Sequence, residues 1–526
     1  MKKTMKRHSF TSQLKSLAVV FGIALAFASC ANEDVAQNPT NPNEDNDKNL
    51  TTFVAGDEAK TRTSLNYNSS DFYWEAGDYI YVKDDNNVLR KSSNAPTSKV
   101  ASFKYKVPGK FTAHSSYKVY YLGKNSNATD KKVTISTAQT QTKPDNTEHF
   151  GTAGDYGTAT ATKVPNKQQF AFELEHQPAY LVFQPYTSNQ ILQSCYLTKV
   201  EVSSDNDIAE TYTVNTSTGA LDASAVTGGK KIVLTTSGSS SNPNGFPLTN
   251  SSASVTTNGA YMVIKPGTHI LRVRYWVKDV ATNVEGTITK TLPATAYASN
   301  TYYDMTANLN VRNYDGDKYY MWDAQEQYWK GHEWNLGGSQ PTLTTQSASS
   351  DYPQNSSDPN NRYYHEGSGA FQATQSCAGL PNVNEMTWYA VKGEPRWDAD
   401  ELWTTMGHLY KGGMWFKKKA NISGFDANKA VDGTDWRTNG GGGNWSISQT
   451  LPDAADANNY FYLPTLSYYA SGRLNGVGSV GYYGGYWSSS TYPWNSRYAY
   501  GLAFTIYGIR VDINRRDLGF RAEALQ

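Results

Sequence analysis

Apolar–polar alternation in short runs, broken by turn residues, constrains this chain more than any other feature. Phe103-Lys104-Tyr105-Lys106-Val107 alternates strictly, and Tyr117-Lys118-Val119-Tyr120-Tyr121 nearly so. Phe72-Tyr73-Trp74 leads through Gly77-Asp78 into Tyr79-Ile80-Tyr81-Val82, and Phe170-Ala171-Phe172-Glu173-Leu174 precedes Tyr180-Leu181-Val182-Phe183. Further runs follow at 197–202, 211–214, 231–235, 260–264, 270–277 and 302–309. A period of two sends alternate side chains to opposite faces of a sheet, and turns at roughly 8–12-residue spacing are those of β-sandwiches. The 42 Gly and 38 Tyr fit strands joined by tight turns better than helices. Only Cys30, Cys195 and Cys377 are present, with no C-x-x-C spacing, so neither a disulfide framework nor a zinc ribbon holds the chain together. Packed aromatic surface must do so.

The amino terminus has the three-part layout of a cleaved export signal. Lys2, Lys3, Lys6, Arg7 and Lys15 are basic, Leu17 to Phe27 is apolar, and Phe27-Ala28-Ser29-Cys30 ends in small residues before a thiol. Such a run is too short to span a bilayer, which takes about 20 apolar residues. Residues 1–29 are therefore read as a lipoprotein signal peptide and Cys30 as the lipidation site, anchoring the chain to a membrane through buried methylenes. Residues 30–50, rich in Asn, Asp and Pro, form a flexible tether. Loss of the signal takes five of 48 basic residues and none of 47 acids, leaving a net charge of −4. That field excludes nucleic acid as a partner, because phosphate neutralisation needs a basic surface.

Tryptophan divides the chain. Residues 30–312 hold Trp74 and Trp276, and all the others follow. Within the first stretch, Thr61-Arg62-Thr63, Phe72-Tyr73-Trp74-Glu75-Ala76-Gly77-Asp78, Phe172-Glu173-Leu174-Glu175-His176, Tyr261-Met262-Val263-Ile264-Lys265-Pro266-Gly267 and Tyr302-Tyr303-Asp304-Met305 occur in order. In these marks the chain resembles the fimbrillin family, the lipoprotein subunits of type V pili. The acidic Asn32-Glu33-Asp34 after Cys30 also resembles the surface-export signal of lipoproteins in that group. The resemblance implies two transthyretin-like sandwiches, with a boundary near residue 188. It also implies assembly with other fimbrial subunits by donor-strand exchange after an Arg-specific cleavage, for which Arg62 is the candidate.

Residues 313–526 have another texture. Phe461-Tyr462-Leu463-Pro464, Gly485-Tyr486-Trp487-Ser488-Ser489-Ser490, Ala499 to Phe504 and Leu518-Gly519-Phe520-Arg521 succeed one another, with Cys377-Ala378-Gly379-Leu380-Pro381 upstream. This succession resembles the FISUMP-type domains of bacterial surface proteins, which look like variants of the C-type lectin fold. Glu401 to Met406 is read as a short helix. Calcium-dependent lectins use a Glu-Pro-Asn loop and a Trp-Asn-Asp strand, because hard Ca²⁺ takes several oxygens. Here the nearest triplets are Glu394-Pro395-Arg396 and Trp494-Asn495-Ser496, each short of one ligand, so no metal site is assigned. Asp432 with Asp435, or Asp398 with Asp400, could make a structural metal site, but such pairs are more often solvated loop acids. No cofactor motif occurs: His332-Glu333-Trp334 lacks the second histidine of H-E-x-x-H, and Cys377 has no partner thiol. The chain is expected not to be an enzyme. Aromatic surface remains, since flat rings beside amides suit sugar faces and peptide side chains. Trp403 and Trp487 lie in patterned segments and are read as core. Trp436, Trp445 and Trp494 lie among Gly, Asn, Ser and Arg and are the candidate ligand-binding residues.

The expected fold is mainly β. Two transthyretin-like β-sandwich domains (51–187 and 188–312) precede an α+β C-type-lectin-like domain (313–526). The expected role is a fimbrial subunit at the cell outer membrane and fimbrium, binding a glycan or a surface protein. Stalk pilins of that family end in the strand they donate, whereas this chain closes at Ala522-Glu523-Ala524-Leu525-Gln526 within the added domain. That favours a tip adhesin. The rival is a permanently lipid-anchored glycan-binding lipoprotein that never polymerises.

Overall fold

The computed structural model describes residues 7–9, 49–56, 64–67, 71–124, 131–215, 220–223, 229–342, 345, 347–367, 371–474 and 480–526. Cys30 and Arg62 lie outside the described residues. The chain is mainly β and divides into two compact units. The first holds residues 1–188, 192–275 and 292–309, so the first stretch read as a sandwich and most of the second fall within it; the second holds 189–191, 276–291 and 310–526.

In the first unit a sheet runs in the order Leu89–Lys91, Ile80–Lys83, Ser116–Tyr121, Gly157–Lys163, Gln169–Phe172, Leu50–Ala55 and Phe103–Pro108. The alternation seen in sequence sends Phe53, Tyr105, Val107, Val119, Tyr121 and Phe170 into one core around Trp74. Phe53 stacks on Phe170 at 5.2 Å between ring centroids, and Trp74 meets Tyr105 edge-on at 5.3 Å. A second sheet centres on Ala179–Tyr186, antiparallel to Ala260–Ile264 and parallel to Thr301–Asn308. Tyr180 to Phe183 are all fully buried, which is why this strand reads as an apolar run rather than an alternation. On the outer side of Thr301–Asn308, Arg7–Ser9 pairs antiparallel with Thr301 to Tyr303.

The second unit contains two larger sheets, the small pair Tyr469–Ala470 with Arg473–Leu474, and one helix of more than two turns among the described residues. Val383–Val391 is that helix. Its capping box is complete: the Asn382 side chain accepts the Glu385 amide, while Glu385 accepts the Asn382 amide. Its inner face, with Val383, Met386, Tyr389 and Ala390, joins a core with Tyr486, Tyr500, Leu502, Phe504 and Val511. One sheet pairs Arg396–Thr405 with His408–Lys417 and then Tyr460–Pro464. The other runs Tyr319–Tyr320, Phe520–Arg521, Gly484–Thr491, Tyr498–Thr505, Gly508–Arg515, Gly443–Trp445.

One element departs from the sequence reading. Glu401 to Met406 is no helix: Glu401–Thr405 ends the strand Arg396–Thr405, and Met406-Gly407 turns into the next at φ 49° and 75°. Two left-handed residues in a two-residue loop match the twist of a hairpin. A bulge between Asp398 and Leu402 breaks the alternation that would have announced the strand. The strand Val284–Thr291, which falls in sequence within the second sandwich stretch, belongs to this unit and pairs Thr287 with Glu401. The Glu401 carboxylate accepts from Thr287 Oγ1 at 3.1 Å, the Thr289 amide at 3.0 Å and Thr289 Oγ1 at 2.6 Å.

Indole N–H groups tie the long loops of this unit to its sheets. Trp322 donates to the Ser488 carbonyl, Trp334 to Asp315, Trp388 to Lys429, Trp403 to Gly412 and Trp487 to Tyr320. The buried rings Trp322, Trp403 and Trp487 each remove about 150–250 Å² from water, and their N–H groups fix where the neighbouring backbone passes.

Candidate functional site

The run Gly440-Gly441-Gly442-Gly443 brings the three candidate tryptophans to one place. It follows the short helix Trp436–Asn439, whose N-cap Asp435 accepts the Arg437 amide. A Cβ on Gly440 would sit 2.9 Å from Cη2 of Trp494, one on Gly441 2.2 Å from Cδ2 of Trp436, and one on Gly443 2.5 Å from Cζ2 of Trp445. Only a bare backbone lies that close to three rings. The Tyr500 hydroxyl holds the run by donating to the Gly441 carbonyl at 3.3 Å.

The three rings have different fates. Trp436 is a core residue, 5 % exposed, and its indole N–H donates to Asp432 at 2.9 Å. Its amide donates to Asn384 Oδ1, so the helix start is pinned and the ring faces inward. It presents no face to a ligand, contrary to the expectation from sequence. Its loop-like neighbours are the cover over the ring rather than a surface around it. Trp494 is 69 % exposed. Its benzo ring lies against Gly440 and meets Tyr492 in a T-shaped contact at 5.5 Å, and most of its surface is open. Trp445 is half-buried on the edge strand Gly443–Trp445 and lines two clefts.

The larger of these clefts, about 520 Å³, is lined by Asn444, Trp445, Ser446, Tyr483, Tyr507 and Arg510 among others. Tyr507, 91 % exposed, sits in the turn between Tyr498–Thr505 and Gly508–Arg515. Sequence reading passed over Tyr507 and Arg510. The available signal was an apolar pair, Ile506-Tyr507, where a two-residue hairpin turn favours Gly, Asn or Asp.

The second cleft, about 450 Å³, includes Glu394, Pro395, Arg396 and Trp445. Its carboxylate is already committed: Glu394 takes hydrogen bonds from Lys417, from Arg396 at 3.2 Å and from the Tyr460 hydroxyl at 3.0 Å. The Lys417 bond first, with these others, holds the Glu394 carboxyl below its usual range. Asn495 Oδ1 is used within its own turn by the Arg497 amide. Asp435 forms a two-pronged pair with Arg437, which lowers its pKa to about 2. Asp432 serves Thr434 and Trp436; Asp398 serves the Asp400 amide and Trp415, and Asp400 serves Lys411. Among the described residues no group of three or more His, Cys, Asp or Glu is placed to hold a metal ion.

A second cluster gathers Cys377, His365 and Asp323. Asp323, at φ 55°, accepts the amides of Thr374 and Gln375 at 2.7 Å and of Cys377 at 3.1 Å, and binds His365 Nδ1 at 3.0 Å. Burial pushes the Cys377 thiol up to about 12, so it stays protonated and packs as a small apolar group. Cys195 is likewise a buried free thiol. No described helix is long and apolar enough to cross a membrane.

No family model matches the sequence, and no curated protein matches it. Among solved structures, a candidate cell adhesion protein from Bacteroides ovatus is 13 % identical, with 49 % of this chain covering 93 % of that one at a TM-score of 0.31. A fimbrial protein from Bacteroides ovatus is 12 % identical, with 90 % of this chain covering 99 % of that one at 0.25. The fimbrial anchor protein Mfa2 from Porphyromonas gingivalis is 11 % identical, with 46 % covering 82 % at 0.21. Scores this low assign neither fold nor function.

Proposed function

We propose that this chain is a surface-exposed fimbrial lipoprotein of the tip-adhesin kind, without catalytic activity, whose second unit binds a glycan. The observation that carries the reading is Trp494, an indole packed on Gly440 yet 69 % exposed, in a unit whose hairpin cleft is lined by Tyr483, Tyr507, Asn444 and Ser446. A ring fixed from below and exposed above offers a large flat contact at low entropy cost, which suits the apolar face of a sugar. Glycan is preferred over a surface protein because the open patch is small and flanked by polar groups.

Assembly is supported by the edge of Thr301–Asn308. Export-signal removal takes Arg7–Ser9 from beside Thr301 to Tyr303 and opens that place on the edge to a strand of another subunit. Lipidation at Cys30 and cleavage after Arg62 belong to the same proposal.

The test is an array of glycans and matrix proteins probed with the full-length protein, with and without chelator. Saccharide binding insensitive to chelator is expected, because Glu394, Asp432 and Asp435 already have protein partners. Binding confined to proteins, or abolished by chelator, contradicts the reading. For assembly, N-terminal sequencing of the surface form is expected to begin at Thr63; retention of Cys30 through Arg62 contradicts it.

A further inference from the structure

We propose that the cleft on the Tyr498–Thr505/Gly508–Arg515 hairpin is a subsite for an acidic sugar, so that the glycan bound by the second unit is anionic. This rests on the glycan-binding reading above and names the ligand class.

The cleft exists because of what lies beside Arg510. Along its strand Ile509 and Val511 point into the core, so Arg510 points outward and is exposed. Its cross-strand neighbours are Ala503 on one side and Asn444 on the other. Ala503 and Gly508 are too small to cover the guanidinium, which leaves a hollow walled by Tyr483, Tyr507 and the Asn444–Ser446 segment. Among the described residues lining it, Arg510 is the one that carries a charge.

Its charge meets only the longer-range attraction of Asp512, two residues along the same strand face. Among the described residues its one hydrogen bond is a long 3.5 Å contact to the Tyr483 hydroxyl, and no carboxylate stands within ion-pair distance. Asp512, the next outward residue, uses Oδ1 on the Ile513 amide. Three other arginines of the unit have carboxylate partners: Arg396 with Glu394, Arg437 with Asp435, Arg515 with Asp517. A free guanidinium fork has five N–H donors and fits a carboxylate or a sulfate ester in two-pronged geometry. The surrounding rings select a sugar bearing that group over a flexible acidic chain.

The test titrates the full-length protein with four probes: a hyaluronan oligosaccharide (carboxylate only), a heparin oligosaccharide (sulfate and carboxylate), neutral chitohexaose, and poly-glutamate. Acidic oligosaccharides are expected to bind at least about tenfold more tightly than chitohexaose, the order of one charge-assisted hydrogen bond. Arg510→Ala is expected to erase that preference and Arg510→Lys to keep part of it. Hyaluronan and heparin binding alike assigns a carboxylate subsite; heparin alone assigns sulfate. The proposal is overturned if chitohexaose binds as tightly as the acids, if Arg510→Ala leaves the preference intact, or if poly-glutamate binds as tightly as the saccharides. Trp494→Ala separates the two readings: neutral binding that depends on Trp494 with no acidic preference overturns the subsite alone, while binding of no saccharide overturns both.

Discussion

Trp74 and the tryptophans of the second unit solve different problems. Trp74, the only tryptophan of the first unit, is fully buried with its indole N–H unmatched among the described residues, so it acts as apolar bulk between paired strands. In the second unit, indoles both fill cores and fasten loops through their N–H groups. Regular strands satisfy their own backbone; long loops need side chains to do it. The unit that spends tryptophan on loops is also the one that leaves Trp494 in the open.

The largest effect expected from that contrast comes from truncating the cores. Trp74→Ala and Trp487→Ala should each cost about 3–5 kcal/mol. Calorimetry should show the first lowering the transition of unit one and the second that of unit two, with the other transition unmoved. A single shared transition would break the division into separately stabilised units.

Acid should separate the units next. Burial holds the His149 pKa down at about 4, with Nε2–H donating to the Tyr261 carbonyl. Above pH 6.5 the ring is neutral both folded and unfolded, and costs nothing. As pH falls from 6.5 toward 4 the unfolded chain takes up a proton that the folded one refuses, so unit one should lose about 2–3 kcal/mol. Asp435, held at about 2 by Arg437 first, keeps its contribution throughout that window and loses it only between pH 3.8 and 2. His149→Gln should flatten the loss in unit one; an unchanged slope would place the acid sensitivity elsewhere.

Glu401→Ala should cost unit two about 2 kcal/mol, since three hydrogen bonds from Thr287 and Thr289 go unmatched. Urea unfolding reads this, and a neutral result would mean Val284–Thr291 is not an integral strand of that unit. The smallest effect is Gly440→Ala, about 1 kcal/mol for a side chain at φ 69°, yet it should displace Trp494 and weaken saccharide binding several-fold.

Much of the strand pattern was legible. Phe103–Val107 and Tyr117–Tyr121 alternate because one face is core, and Trp403 and Trp487 fall in patterned segments and are buried. Two kinds of information were not. The placement of Val284–Thr291 with the second unit depends on a partner more than 100 residues away, Glu401, which no local period encodes. Trp436 and Trp494 have equally loop-like neighbours, and their opposite fates follow from which side of the glycine run each ring lies on. Composition marks the run as permissive of close approach, not the direction from which a ring comes.

The most direct test of the central claim is saccharide affinity of the full-length Trp494→Ala protein, with Trp487→Phe as the core control. Recognition through the exposed ring predicts a loss of about tenfold or more for Trp494→Ala at unchanged unfolding temperature, with the core control binding normally. Undiminished binding by Trp494→Ala would place recognition elsewhere in the chain and contradict the account.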